Sequence, residues 1–409
     1  MKLNFLFVTL IFILSCQNNF DKPYITTKSP LTLFSTQDGE SEAIWPFTNV
    51  IPYDNILKSD DSFTVIHLGP DHPPIVKTVY GTIASTILGT PTMAISKNGR
   101  YAIASNHSWR GDGFFNKLTY PEGKPLFNSD IKNLSKQNLS PQLSDMIYVV
   151  DLYDENHPVV DRILLDDKPI HVLSHPDGER FFALGHNNFF TYKLDDGKLI
   201  ELAKSPIPYG MGCFWIHPNG KNIIASRSKD WYSKPTIAQW YKIDGDRVNY
   251  LHDLEISENL DTEYQLEGGI LRISPDGKKA FICQRTVFNG LGFADILIAD
   301  LTLDKPKVTE VIKQVCDGLE SFAFHPNGKL AVATCLERTK NSLAVLDVES
   351  EYPKILYYLD AAGGSQGVEF TPEGDKLFLG SPAYGRIEVY DVIDEFTIVK
   401  NQKFLKIGN

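Results

Sequence analysis

Several polar residues in this sequence have side chains that bind and transform small polar molecules. A histidine can act as a general base near neutral pH, and a glutamate can orient it or donate a proton. An arginine offers a planar pair of N–H donors to a carboxylate or a phosphate. Residues of these types that fall near matching positions of a repeated pattern are His107, Arg110, His171, His186, Arg227, Glu267, Arg285, Glu320 and Glu337.

Two kinds of function fit this set. In a binding site, the arginines hold an anionic or sugar-like ligand while aromatic rings stack on it, here Trp109, Trp231 and Tyr384. In a hydrolase that opens a lactone or a related ester, a histidine or glutamate moves the proton and an arginine stabilises the oxyanion. The candidates for these catalytic roles are His107, His186, Arg285 and Glu337. Binding of a small polar or anionic ligand, or of a protein partner, is the first expectation, and lactone hydrolysis is the alternative. A rim of solvated ion pairs without a ligand is the plain structural interpretation.

Other classes of function find little support in the sequence. His107, His171 and His186 are potential metal ligands, but no carboxylate spacing accompanies them, so we expect no metal. The sequence has no G-x-x-x-x-G-K-[ST] motif and no C-x-x-C-H, so we expect no nucleotide or haem cofactor. The 40 Lys and Arg residues against 51 Asp and Glu residues give a net charge of −11, which argues against nucleic acid as a partner.

One repeated unit must position these residues. It consists of an apolar strand, a turn that ends in glycine, a second apolar strand, and a third strand that ends in an acidic residue. The six clear copies of its first half are 93–105, 172–184, 214–226, 271–283, 322–334 and 368–380. A weaker seventh copy covers 31–47 and is followed by a strand at 63–68. The unit length suits four short antiparallel strands, which predicts an all-β, seven-bladed β-propeller of four-stranded antiparallel blades.

The units resemble the YVTN-type repeats of lactonase-type, cytochrome d1-type and amine-dehydrogenase heavy-chain propellers. Two stretches, GILRISPDGKKAFICQR (269–285) and LESFAFHPNGKLAVATCLE (319–337), look like blades of the lactonase family. In that family the acidic and basic pocket residues lie at the ends of such blades. The resemblance therefore implies pocket roles for residues such as Arg285 and Glu337.

The long connections are expected on one side of the ring. Antiparallel alternation places the connection between second and third strands, and the connection between blades, on the face opposite the glycine turns. We call this side the looped face. The predicted insertions there are 49–61, 108–145, 229–236, 255–267 and 286–294. Clustering on one rim predicts a binding face. His175, His217 and His325 precede the turn prolines on the other face and are predicted to be structural.

The first sixteen residues predict export. Met1-Lys2 is followed by an apolar run from Leu3 to Leu14, which is too short to span a bilayer, and then by Ser15-Cys16. The motif Ile13-Leu14-Ser15-Cys16 resembles a bacterial lipobox, which implies acylation of Cys16. The expected organisation is a signal peptide at 1–15, a tether at 16–30 and the propeller at 31–409. We therefore expect a monomeric lipoprotein attached to a membrane surface, on its periplasmic or cell-surface side.

Four further cysteines remain in the predicted mature chain. Cys213, Cys283, Cys316 and Cys335 allow three pairings, among which the sequence does not choose. Cys283 and Cys335 lie in apolar, strand-like segments, which favours buried core thiols.

Overall fold

The computed structural model is an all-β, seven-bladed propeller, which confirms the predicted fold class. It describes residues 22–37, 62–80, 93–106, 118–119, 125–126, 146–154, 156, 158–165, 167, 171–185, 187–208, 213–228, 235–258, 260, 268–284, 294–316, 318–336, 341–362, 365, 367–381 and 384–407. Within these ranges no helix has the length and apolar character needed to cross a bilayer.

The described strands follow one another around the ring in chain order. They are β1 (Leu31–Gln37), β2 (Ser62–Leu68), β3 (Ile75–Tyr80), β4 (Met93–Ile95), β5 (Tyr101–Asn106), β6 (Leu118–Thr119), β7 (Pro125–Leu126), β8 (Met146–Asp151), β9 (Val159–Leu164), β10 (His171–Ser174), β11 (Arg180–Leu184), β12 (Asn188–Asp195), β13 (Lys198–Pro206), β14 (Phe214–Ile216), β15 (Asn222–Ser228), β16 (Pro235–Asp244), β17 (Arg247–Asp253), β18 (Glu255–Ile256), β19 (Gly268–Ile273), β20 (Lys279–Gln284), β21 (Ala294–Asp300), β22 (Lys307–Cys316), β23 (Leu319–Phe324), β24 (Leu330–Leu336), β25 (Asn341–Asp347), β26 (Lys354–Asp360), β27 (Val368–Phe370), β28 (Lys376–Ser381), β29 (Arg386–Val392) and β30 (Ile398–Lys406).

Each blade is one antiparallel sheet whose strands run outward from the centre. Blade 1 holds β1 to β3, blade 2 holds β4, β5, β8 and β9, and blades 3 and 4 hold β10 to β13 and β14 to β17. Blades 5, 6 and 7 hold β19 to β22, β23 to β26 and β27 to β30. The short β18 adds to the outer edge of blade 5, parallel to β22, and β6 pairs with β7 within the predicted 108–145 insertion.

The weak seventh repeat folds differently from its prediction. We expected 31–47 to form an inner hairpin, but β1 pairs directly with β2 along its whole length, from Leu31 opposite Leu68 to Gln37 opposite Ser62. The connection between β1 and β2 is thus the long one in this blade. The prediction was wrong because Gly39 was taken for a blade turn on spacing alone.

Seven apolar clusters, each shared by two neighbouring blades, hold the described part of the ring together. Residues that meet in successive clusters are Phe63 with Tyr148, Val149 with Val172, Phe182 with Phe214, Ile224 with Leu271, Phe281 with Phe322, Val332 with Leu377, and Val389 with Ile66. The last cluster joins blade 7 to blade 1, so the ring is closed. It also contains Ile25, which is 4% exposed. The predicted tether is therefore partly packed on the propeller, because Ile25 fills an apolar gap at the ring closure.

The glycine turns have the geometry that the sequence predicts. Gly99, Gly178, Gly220, Gly277, Gly328 and Gly374 have φ between 68° and 76°, and each donates its N–H to the carbonyl three residues earlier. A side chain with a Cβ is strained at such a φ, which explains why glycine recurs here. At Gly374 an added Cβ would also lie 2.2 Å from His325 Nε2.

Three histidines link these turns around the ring, which confirms their predicted structural role. The Nε2 atoms of His175, His217 and His325 lie 2.8 to 2.9 Å from the carbonyl oxygens of Gly220, Gly277 and Gly374. Each histidine also accepts at Nδ1 from the backbone N–H two residues later, at 3.1 Å. Each ring therefore donates from Nε2 to the turn of the next described blade.

The cysteines divide into one disulfide and two thiols. Cys316, at the end of β22, is bonded to Cys335 in β24, with a Cα–Cα distance of 5.7 Å. Cys213 and Cys283 are buried thiols. The expectation of a core thiol is thus confirmed for Cys283 and wrong for Cys335, because the packing of blade 5 against blade 6 brings Cys335 beside Cys316.

Candidate functional site

The structure locates the backbone of three of the predicted ligand-binding residues. His171 begins β10, Glu320 lies in β23, and Arg227 lies in β15, paired with Thr236. The side chain of Arg227 lies outside the described residues. The remaining predicted positions also lie outside them, so their roles stay predictions; they are His107, Arg110, His186, Glu267, Arg285, Glu337 and the predicted lipidation site Cys16.

His171 lies inside the wall of the ring. Its side chain is 0% exposed, which corrects the expectation that it faces an open rim. Its Nδ1 accepts a hydrogen bond of 3.0 Å from the backbone N–H of Phe214 in the next blade, and the Cys213 Sγ lies 3.6 Å away. Its Nε2 is buried and has no hydrogen-bond partner in the described part of the chain. Complete burial, together with the charge of Arg272, holds the pKa of His171 well below its usual value. His171 is therefore neutral and bridges blades 3 and 4.

This burial predicts an acid-sensitive contribution to stability. The pKa of His171 is lowered in the folded state, so the unfolded chain binds more protons below the usual histidine pKa of about 6.5. At one pH unit below that value, we expect His171 alone to lower the free energy of unfolding by about 1.4 kcal/mol. The measurement is urea unfolding of the native protein and of His171→Gln, whose amide oxygen can still accept from Phe214, between pH 7.5 and about pH 5.5. Equal pH slopes for the two proteins would contradict this assignment.

Glu320, in the inner strand β23 of blade 6, is also buried. It is 0% exposed, so the expectation of a rim position is corrected for this residue as well. Its charge acts on the Cys283 thiol, whose pKa is raised mainly by burial and then by the neighbouring Cys213 and Glu320. A thiol with a raised pKa remains protonated and is a poor nucleophile. Cys283 is thus a core residue, and covalent catalysis by this thiol has no support.

An ion pair that the sequence did not predict crosses the central channel. Arg272 of β19 donates from Nη1 and Nη2 to the two carboxylate oxygens of Glu369 in β27, at 3.0 and 2.6 Å. These inner strands belong to blades 5 and 7, which are separated by blade 6. Inner strands of non-adjacent blades meet only across the centre of the ring, so the pair lies in the channel.

The third member of this channel site is Trp215 of β14. The Arg272 guanidinium carbon lies 4.6 Å from the centre of the Trp215 ring, a cation–π contact. The Arg272 side chain is only 12% exposed, whereas that of Glu369 is 61% exposed. The Arg272 Nε is buried and has no hydrogen-bond partner among the described residues. The arginine is thus held by packing, while its carboxylate partner remains open to solvent.

A register signal in the sequence could have found this site. Trp215, Arg272 and Glu369 each lie five residues before the turn glycine of their own repeat. Residues at the same register of different blades face the centre at one height, so their side chains meet although Arg272 and Glu369 are 97 residues apart. The predicted site residues lie at strand ends, whereas these three lie within the inner strands.

The arrangement suits recognition of an anion. A guanidinium whose fork already holds a carboxylate has the geometry that a ligand carboxylate or phosphate needs. The indole face beside it offers an apolar surface on which a sugar ring could stack. Of Trp215, Arg272 and Glu369, only the Glu369 carboxylate could accept a proton, and it is paired with Arg272.

A second buried carboxylate, Glu388 of β29, has a structural role. It is 2% exposed and accepts hydrogen bonds from Arg386, Tyr390 and the backbone N–H of Ala362, and it pairs with Lys400 at 2.9 Å. Burial opposes ionisation, but the bonds from Lys400 and Ala362 outweigh it and lower the pKa of Glu388. Gln239 takes the same position in blade 4 and accepts from Tyr241, two residues later, as Glu388 does from Tyr390. These groups join third and fourth strands and are not part of the channel site.

Comparison with solved structures finds the same fold in bacterial propellers. A Bacteroides uniformis protein provisionally named a 6-phosphogluconolactonase has 13% identity and a TM-score of 0.61, over 93% of this chain and 97% of its own. The periplasmic gluconolactonase of Pseudomonas aeruginosa has 11% identity and a TM-score of 0.59, again over 93% and 97%. Hydrazine synthase of Kuenenia stuttgartiensis has 16% identity and a TM-score of 0.51, over 76% and 80%. No protein-family model and no curated protein matches the sequence. At these identities the likeness establishes the fold alone.

Proposed function

We propose that this chain is an exported, lipid-anchored β-propeller that binds a small anionic, sugar-like ligand in its central channel. The observation that carries the proposal is the channel site of Arg272, Trp215 and Glu369. The ligand class follows from its chemistry, because a planar fork recognises a carboxylate or phosphate and an indole face stacks on a sugar ring.

Glu369 has the role of an internal stand-in for the ligand. Its carboxylate occupies both donors of the Arg272 fork but is 61% exposed, so little packing holds it there. An ion pair with an exposed partner is worth about 0–1 kcal/mol, which a ligand with additional contacts can exceed. In this proposal the ligand carboxylate or phosphate displaces Glu369 and takes its place on Arg272.

The predicted arginines of the looped face fit the same ligand. From their places in the repeat, Arg110, Arg227 and Arg285 are predicted at or beyond the ends of second strands, on the looped face. The chain as a whole carries a net charge of −11, which repels an anion. Positive side chains at the entrance would offset this repulsion locally and raise the rate of entry.

Lactone hydrolysis is the second candidate function. It is favoured by the names of two structural neighbours, a periplasmic gluconolactonase and a provisional 6-phosphogluconolactonase. In this version the channel site binds the phosphate of a phosphorylated lactone, or the carboxylate that forms when a neutral lactone opens. The proton transfers then fall to His107, His186 or Glu337, with Arg285 on the oxyanion.

Binding is tested with a short series of compounds. We expect gluconate and 6-phosphogluconate to raise the melting temperature, and neutral glucose at equal concentration to leave it unchanged. Glu369→Gln removes the competing charge and should tighten gluconate binding by up to about fivefold. Glu310→Gln is the matched control, because Glu310 pairs with Lys279 in blade 5, outside the channel. No melting shift with either acid, or weaker binding by Glu369→Gln, would overturn the proposal, and turnover of gluconolactone would select the second candidate.

The disulfide supports the proposed export. Cys316 and Cys335 are bonded, and disulfides persist mainly in oxidising compartments such as the periplasm and the cell surface. The proposed lipid on Cys16 would hold the propeller at a membrane surface in such a compartment.

A further inference from the structure

A groove runs along the outer edge of the propeller at the ring closure. It lies between residues 22–25, β3 of blade 1 and β30 of blade 7, and has a volume of about 450 Å³. We call it the edge groove. Its lining residues are Pro23, Tyr24, Ile25, Pro74, Val76, Thr78, Lys403, Phe404, Leu405 and Lys406. It is far from the channel site, since β3 and β30 are the outermost strands of their blades.

The edge groove presents large apolar side chains to solvent. Val76 is 43% exposed and Phe404 is 52% exposed. Arg386 lies over the Phe404 ring at 5.1 Å and keeps the ring in place. Adjacent exposed apolar residues on a soluble domain indicate a contact surface.

Basic residues surround this apolar patch although the chain is acidic overall. Lys403 and Lys406 line the groove, and Lys22 precedes Pro23. Lys22 is paired with Asp71 at 3.6 Å, and Lys403 donates to the backbone oxygen of Lys22. The local charge is thus complementary to an anionic surface, which the net charge of −11 does not lead one to expect.

The proposed anchor places a membrane beside this patch. Six peptide steps separate Cys16 from Lys22, where the described structure begins. An extended chain of that length reaches about 20 Å. An acyl chain on Cys16 would therefore keep the edge groove within about 20 Å of the bilayer, nearer than most of the propeller surface.

We propose that the edge groove docks the propeller on an anionic phospholipid bilayer, a step that rests on the lipid anchor included in the proposed function. Val76 and Phe404 enter the interface, and Lys403 and Lys406 meet lipid phosphates. Aliphatic and aromatic side chains with flanking lysines are the composition that such interfaces favour. Docking fixes the orientation of the ring and holds the edge of blades 1 and 7 against the membrane.

The test measures the depth of a spin label in the bilayer. Val76→Cys in the full, acylated protein is labelled with a nitroxide, because Cys213 and Cys283 are buried and Cys316 and Cys335 are bonded to each other. Leu202→Cys on β13 is the matched control, since Leu202 is 40% exposed on the outer strand of blade 3. The protein is reconstituted in vesicles of phosphatidylcholine with and without phosphatidylglycerol, and relaxation by oxygen and by a water-soluble nickel complex gives the depth.

We expect the label at position 76 to lie about 5–10 Å into the interface of the anionic vesicles. The label at 202 should stay in water, and Lys406→Glu should move the label at 76 toward water. Both labels in water on protein that floats with the vesicles would reject docking and leave the anchor intact. Protein that does not float would reject the anchor and docking with it, while leaving ligand binding in the channel untouched. A label at 76 that is shielded without vesicles would show that a protein segment or a second copy fills the groove.

Discussion

Replacing Arg272 with alanine is expected to weaken binding of an anionic ligand by about 10- to 100-fold, the cost of losing charge-assisted hydrogen bonds of about 1.5–3 kcal/mol. The reason is the position of the guanidinium, which is fixed against Trp215 and directs two donors at one carboxylate. Arg272→Lys keeps the charge but loses the planar fork, so its affinity should lie between that of the native protein and that of Arg272→Ala. Isothermal calorimetry with gluconate or 6-phosphogluconate measures all three.

The control for this experiment is another arginine with similar contacts. Arg180 pairs with Asp177 at 2.8 Å and lies over the Phe182 ring at 5.9 Å, but it follows a glycine turn on the face opposite the looped face. Arg180→Ala should lose a comparable ion pair without changing ligand affinity. Equal losses in Arg272→Ala and Arg180→Ala would show that binding follows general stability and not the channel site.

Removing the disulfide is expected to cost about 3 kcal/mol of unfolding free energy. Cys316 and Cys335 are 19 residues apart in sequence, and closing a loop of this length restricts the unfolded chain by about that amount in the chain-entropy model. Both cysteines are fully buried between blades 5 and 6, so the double variant Cys316→Ala, Cys335→Ala also loses part of the packing there. Urea unfolding under oxidising conditions measures the difference.

Two comparisons separate the cross-link from the packing. Cys283→Ala removes a buried thiol from the same apolar cluster without removing a bond between strands, so its effect estimates the packing loss alone. Reductant should lower the stability of the native protein toward that of the double variant and leave the double variant unchanged. A double variant as stable as Cys283→Ala, or native protein insensitive to reductant after unfolding, would contradict the expected role of the disulfide.

The repeat was predictable because its signals are local. Proline, Asn or Asp and glycine specify the turn within four residues, as at His325 to Gly328, and the strands on either side alternate in the expected way. The structural histidines were predictable for the same reason, since their place before the turn puts them on the face opposite the long loops. The prediction for the first blade was wrong because Gly39 matched the spacing of the turn glycines without the rest of the turn pattern.

The channel site depends on closure of the ring, which no local signal contains. Arg272 and Glu369 become partners only because blades 5 and 7 share one centre, and the Val389 and Ile66 cluster completes that circle. Burial is likewise a property of the whole ring. His171 and Glu320 are polar residues at strand starts, which favours a rim position, yet neighbouring blades cover them completely.

The most direct test of the anion site is a crystal structure of the protein with bound 6-phosphogluconate. Our account predicts ligand oxygens on Nη1 and Nη2 of Arg272, with the Glu369 carboxylate moved away from the guanidinium and the sugar chain against Trp215. A ligand bound elsewhere, with the Arg272–Glu369 pair intact in the channel, would contradict it.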